Sequence, residues 1–152
     1  MQPNIQFTKN FSLNELLLTN HRKFDDEQYN PPPAIIENLR ALCINILQPL
    51  RDATGAPVNL NSGYRCPSLN TAIKGSKNSQ HVTGHAADIV DHNNGNEFLF
   101  KKIKELNLPF DQLINEFDFR WIHVSFDPTR NRRQILKAVK DAAGKTIYLP
   151  FS

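Results

Sequence analysis

The chain has 152 residues, with 18 basic side chains against 15 acidic ones and a formal charge of +3. A length of this order bounds it to one compact domain, residues 1–152, in which residues 1–55 form a helical N-terminal part. Hydrophobic residues at 39% and charged residues at 22% exclude an intrinsically disordered composition. No apolar run approaches the roughly 20 residues needed to cross a bilayer. The start MQPNIQFTKN lacks a basic segment followed by an apolar one, so a soluble chain without an export signal is expected.

The segment FSLNELLL, residues 11–18, offers Ser12 as an N-cap and Glu15 three residues on, the start of a short helix. Pro31 to Pro33 force an extended approach to the main amphipathic helix, in which Ile35, Leu39, Leu42, Cys43, Ile46 and Leu50 recur at spacings of three and four. That helix is expected from about Ala34 to Ala53, bending at Pro49 and stopping at Gly55. VNLNS reads as a strand, SGYRCP breaks it, and Ser68 to Ile73 form a short helix. AADIV, residues 86–90, is a second strand, followed by the turn DHNNGN and a helix from about Glu97 to Leu106. QLINEF at 112–117 and WIHVSF at 121–126 form an antiparallel hairpin, and QILKAV with KTIYLP forms another around Asp141 to Gly144. Helices first and closely spaced strands later predict an α+β fold with a mainly antiparallel sheet and the N-terminal helices packed on it.

Cys43 and Cys66 are too few for a disulfide scaffold and form no CxxC pair; Cys43 reads as a core thiol, and a bridge to Cys66 stays open. The chemistry concentrates in SQHVTGHAAD, residues 79–88, where His81, His85 and Asp88 crowd into eight positions. His81 and His85 have the spacing of a helical zinc pair, yet Val82 stands where that motif needs glutamate and Gly84 interrupts the turn. On one straight strand His81 and Asp88 would lie about 23 Å apart, so Gly84 must let the chain double back. Alternation puts Ala86, Asp88 and Val90 on one face, and Trp121, His123 and Ser125 on one face of WIHVSF. Two histidines and a carboxylate suit a zinc site that keeps one position for water.

SGYR at 62–65, Asn70, SQHVTGHAAD and WIHVS at 121–125 together resemble the zinc D-Ala-D-Ala carboxypeptidase family, in its phage-type and bacterial murein-peptidase branch. FSLNEL, PPPAIIENLRAL and LQPLRDATG resemble the same branch, so the likeness spans about residues 11–126, and the last 25 residues add little to it. The resemblance implies the zinc fold shared with hedgehog signalling domains, Zn2+ as cofactor, and the ligands His81, Asp88 and His123. His85 then becomes a neighbour that touches a ligand or the substrate, or an exposed bystander. Some relatives carry the catalytic base three residues before the last ligand, where this chain has Arg120; others carry it further upstream, which points to Glu116, with Asp118 in reserve. Arg65 matches the family's substrate arginine and suits a peptide carboxylate or an oxyanion, and Ser79 resembles a substrate-contacting serine.

What the resemblance implies is a monomeric zinc metallopeptidase cutting peptidoglycan stem peptides, as a D-Ala-D-Ala carboxypeptidase or as an endolysin in cell wall degradation. A cytoplasmic, phage-borne or wall-released location fits equally. One competing reading keeps the zinc fold without catalysis, as a wall-binding or phage structural module. Another is nucleic-acid binding through Arg130, Arg132, Arg133, Lys137 and Lys140. Solvated strand charges without interleaved aromatics argue against it, so neither a nucleic-acid nor a membrane partner is expected.

Overall fold

The computed structural model describes residues 2–152. Helix α1, Leu13–Leu17, opens where expected, with the Ser12 backbone N–H donating to Glu15 Oε1 at 3.2 Å. A single 3-10 turn, Arg22–Phe24, then runs into α2, Asp25–Gln28, neither of which the apolar spacing announces. The main helix is α3, Pro33–Leu42, a π-helical turn, Cys43–Leu47, and α4, Gln48–Thr54, closed by Gly55 at φ 65°. Its irregularity therefore lies one turn before Pro49 rather than at it. Proline has no N–H to offer the carbonyl four residues back and crowds it, and the widened turn absorbs that defect. Leu39, Leu42, Cys43, Ile46, Leu47 and Leu50 are fully buried along this helix.

Strand β1, Asn59–Ser62, and helix α5, Pro67–Ala72, precede β2, Ala86–Val90, and α6, Asn96–Glu105. The remaining strands are β3, Gln112–Glu116, β4, Trp121–Ser125, β5, Gln134–Lys140, and β6, Thr146–Pro150. They form one six-stranded sheet in the order β1-β2-β4-β3-β5-β6. Every pairing is antiparallel except β3 with β5, which run parallel. Both expected hairpins exist, and the second is grafted onto the free edge of β3. Asp111 makes that graft: its backbone carbonyl accepts from Gln134 N–H at 2.9 Å, while its carboxylate holds the Arg132 backbone and guanidinium.

One face of the sheet carries Ala87, Ile89, Leu113, Ile122 and Val124, which join the helical leucines in a single apolar core. The other face is left for chemistry. Cys43 and Cys66 are both free and buried, so the bridge left open by the sequence is not made. Among the described residues no helix is long and apolar enough to cross a membrane.

Candidate metal centre

Strands β2 and β4 pair with Asp88 opposite His123, and alternation sends both side chains to the face away from the core. His81 arrives from the turn before β2. Gly84 adopts φ +74°, a conformation that penalises any Cβ, and the His85 N–H closes the turn on the Gln80 carbonyl at 3.0 Å. The chain thus doubles back as the short interval between His81 and Asp88 requires. His81 Nε2 lies 3.2 Å from Asp88 Oδ1, and His123 Nδ1 lies 3.3 Å from the same oxygen. The two imidazole rings stand edge to face, 5.2 Å apart.

Neighbouring hydrogen bonds fix which nitrogen of each ring is free. His81 Nδ1 sits 2.7 Å from the Gly63 carbonyl, which only accepts, so Nδ1 carries the proton and Nε2 presents a lone pair. Gly63 is required there, because a Cβ would collide with the Leu16 carbonyl. His123 Nε2 faces Gln80 Oε1 at 3.4 Å, while Gln80 Nε2 donates to Asp111 Oδ2 at 2.8 Å. Since the Asp111 carboxylate accepts, the Gln80 amide must turn its oxygen to His123, leaving His123 Nδ1 as the lone pair. Burial works against a charge on Asp88, yet the two imidazoles outweigh it and hold that carboxyl well below the usual range.

These residues fit zinc. Two bonds of about 2.05 Å at the tetrahedral angle put neighbouring ligand atoms about 3.3 Å apart, which the two ligand contacts of Asp88 Oδ1 match. All three ligand atoms lie within 4.8 Å of one another. The donor set of two imidazoles and one carboxylate, each imidazole oriented through its far nitrogen, is that of an open zinc site.

The three side chains form the floor of a cleft of about 790 Å³. Glu116 and Arg65 line it, as does Ser79, whose hydroxyl accepts from the His81 N–H at 3.3 Å. Glu116 ends β3 and is buried, and burial pushes its carboxyl up to about 7 against the pull of His123. Its place depends on an unusual turn: Phe117, Asp118 and Phe119 all have positive φ, between 52° and 61°. Such backbone costs energy at non-glycine residues. It is held by Asn115, whose side-chain oxygen accepts from Phe119 N–H at 2.6 Å, and by Asn96, which donates to the Phe119 and Arg120 carbonyls. The turn carries Asp118 and Arg120 out to solvent, away from the cleft lining.

Arg65 is held by Asn70, whose Oδ1 accepts from Nη1 at 3.2 Å; its Nε is buried with no partner among the described residues. Burial pulls the guanidinium below its ordinary value, opposed by Asp88, Tyr148 and Glu116. The loop that carries it is fixed by fully buried Gln28, which donates to the Leu17 and Tyr64 carbonyls and accepts from Cys66 N–H. His85 is not brought to the cleft: its Nδ1 pairs with the Thr83 hydroxyl at 2.8 Å. Sequence reasoning missed Gln80 and Asp111 behind His123, and missed the cleft wall from β5 and β6, with Gln134, Leu136, Thr146 and Tyr148. Alternation along QILKAV and KTIYLP carries the signal for that wall, once the parallel register with β3 is known.

Comparison with known proteins adds two findings. A profile of the family described as Peptidase M15 matches residues 9–125. A stretch of 44 residues is 43% identical to the zinc D-Ala-D-Ala carboxypeptidase of Streptomyces albus G, covering 28% of this chain and 17% of that protein. The family match ends on the last residue of β4, so β5 and β6 lie outside it.

Proposed function

The chain belongs to the Peptidase M15 family, and from that premise we propose that it is a zinc-dependent peptidase hydrolysing amide bonds in peptidoglycan stem peptides. The observation that carries this reading is the convergence of His81, Asp88 and His123 at tetrahedral spacing in a cleft that also holds Glu116 and Arg65. When bound by those three residues, zinc supplies Lewis acidity, making water nucleophilic near neutral pH and polarising the amide carbonyl.

Everything else falls to the chain's own side chains. Glu116 accepts a proton from the attacking water at a carboxylate oxygen and passes it to the leaving amine nitrogen as the C–N bond breaks. Its buried position suits this task, because an acid near neutrality both takes and returns a proton at working pH. Arg65 keeps a fixed positive charge beside the floor and holds either the peptide's terminal carboxylate or the developing oxyanion. Gln80 and the Gly63 carbonyl keep the two imidazoles in the tautomers that face Asp88. Ser79 contacts substrate at the rim of the cleft. No covalent acyl intermediate is required.

The test is mass spectrometry of fragments released from defined muropeptides by the zinc-loaded protein. Release of D-Ala, of stem fragments or of cross-link halves names the bond that is cut. Absence of any release from monomeric and cross-linked muropeptides would overturn the reading in favour of a non-catalytic, zinc-stabilised wall-binding module.

A further inference from the structure

The outer hairpin brings Gln134, Leu136, Thr146 and Tyr148 to the cleft, and of these Tyr148 stands in the same cross-strand row as Glu116. Across the sheet, Trp121 pairs with Glu116, Glu116 with Ala138, and Ala138 with Tyr148. Directly paired residues share a face, so Glu116 and Tyr148 both rise from the cleft side with Ala138 between them. Two strand spacings separate their backbones, about 9.6 Å. Ala138 offers only a methyl group and is fully buried, so it puts no long side chain between Glu116 and Tyr148 in that row.

Tyr148 lines the cleft, retains 53% exposure and makes no hydrogen bond through its hydroxyl to another described residue, so a ligand can reach it. The phenol also feels the groups of the cleft floor: it ionises less readily because of burial first, then the Glu116 and Asp88 carboxylates, with Arg65 opposing. Groups from opposite edges of the sheet thus meet over one floor. Arg65 follows β1, and Tyr148 lies on β6.

We propose that Tyr148 is a substrate-contacting residue, its Oη donating a hydrogen bond to a backbone carbonyl of the peptide lying in the cleft, across the floor from Arg65. The proposal rests on the peptidase reading above. It assigns the hairpin beyond the family match a direct part in substrate binding, with Ala138 as the small residue between Glu116 and Tyr148.

The chain has a single tryptophan, Trp121, and it lines the same cleft, so its fluorescence reports occupancy. The experiment titrates zinc-loaded Glu116→Gln protein, in which turnover is slowed about 10²-fold or more, with a synthetic peptidoglycan stem pentapeptide. Adding Tyr148→Phe is expected to weaken binding about 3- to 10-fold, as loss of one hydrogen bond does. Tyr148→Ala weakens it further, while Leu149→Thr, on the opposite face of β6, leaves it unchanged. In the Glu116 background kcat/KM falls with Tyr148→Phe in the same proportion, with bound zinc and Tm unaltered. Unchanged binding in both Tyr148 variants, alongside an active wild type, overturns the Tyr148 assignment alone. A wild type that does not bind the pentapeptide and releases nothing from monomeric or cross-linked muropeptides overturns the peptidase reading, and the Tyr148 assignment falls with it.

Discussion

Strands β2 and β4 and the hairpin β5–β6 face the same cleft, but they are built in opposite ways. In β2 and β4 the residues flanking Asp88 and His123, namely Ala87, Ile89, Ile122 and Val124, are fully buried, so both side chains stand on backbone that has no room to shift. In β6 Tyr148 and Leu149 are exposed, and the strand has a partner on one side only. Ligand geometry needs to hold within fractions of an ångström, whereas a wall that meets a peptide has to admit it. Central strands suit the first requirement and an edge strand suits the second. Variants on β2 and β4 should therefore change whether the chemistry occurs, and variants on the hairpin should change how well a peptide is held.

The largest effect is expected at the floor. Asp88→Ala removes the oxygen that both imidazoles approach, and bound zinc per chain, measured by elemental analysis, should drop towards zero with activity at background. Zinc at a thousandfold excess over its dissociation constant stabilises a protein by about 4 kcal/mol, which corresponds to about 10 °C in Tm for a chain of this size. Chelation should produce that shift in the wild type and none in Asp88→Ala. Retention of zinc by the variant would place the metal elsewhere.

Glu116→Gln comes next, with kcat expected to fall about 10²- to 10⁴-fold while zinc content stays intact. The pH profile gives the sign. Burial raises the Glu116 carboxyl to about 7, and the carboxylate is the form that accepts a proton, so kcat/KM should rise as pH increases through that region. A bound cation favours the ionised form, so in the zinc-loaded protein the limb lies at or below that value. Glu116→Gln should lack the limb. A variant that keeps both rate and limb would transfer the role of base to another group.

The candidate ligands could be read from the sequence because their convergence depends on local rules. Alternation in AADIV and WIHVSF put Asp88 and His123 on a common kind of face, and Gly84 explained the return of His81. The family resemblance supplied the choice of His123 over His85, and the structure leaves His85 paired with Thr83 outside the cleft lining. What remained hidden is non-local. The parallel register of β5 on β3 is a long-range pairing, begun by the Gln134 N–H on the Asp111 carbonyl, and no pattern within either strand encodes it. The Phe117–Phe119 turn was equally concealed, since left-handed backbone usually announces itself through glycine or asparagine and here is sustained by Asn115 and Asn96. The Arg22–Gln28 segment lacks apolar periodicity because Gln28 fixes it through hydrogen bonds rather than through an apolar stripe.

Gln80 separates rigid support from direct ligation. Gln80→Leu keeps the side-chain bulk but leaves His123 Nε2 without its acceptor, and zinc affinity should fall about 10- to 100-fold. At saturating zinc kcat should return close to the wild-type value, because no group at the reacting centre has changed. A kcat loss that excess zinc fails to restore would instead give Gln80 a direct contact with substrate.

The smallest effect is expected one step further out, at Arg132, where the hairpin is tied to the central strands. Its Nη2 meets Asp111 Oδ2 at 2.8 Å, but the Arg132 side chain keeps 41% exposure, so the pair contributes no more than about 1 kcal/mol. Arg132→Ala also leaves the residue's backbone N–H on Asp111 Oδ1, so Gln80 should stay in place and zinc affinity should change about 2-fold at most. The acid side carries the signature. Asp111 is lowered to about 2, chiefly by the Arg132 hydrogen bond, from an ordinary value of 3.8. A depressed carboxyl stabilises the fold above its ordinary value and loses that contribution as pH falls towards the lowered one. Wild-type stability should therefore decline between about pH 4 and pH 2 by more than that of Arg132→Ala, the two curves running parallel above about pH 5. If Arg132→Ala weakened zinc as strongly as Gln80→Leu, the hairpin would be supporting the ligands and not only the substrate wall, and the division between central strands and edge would fail.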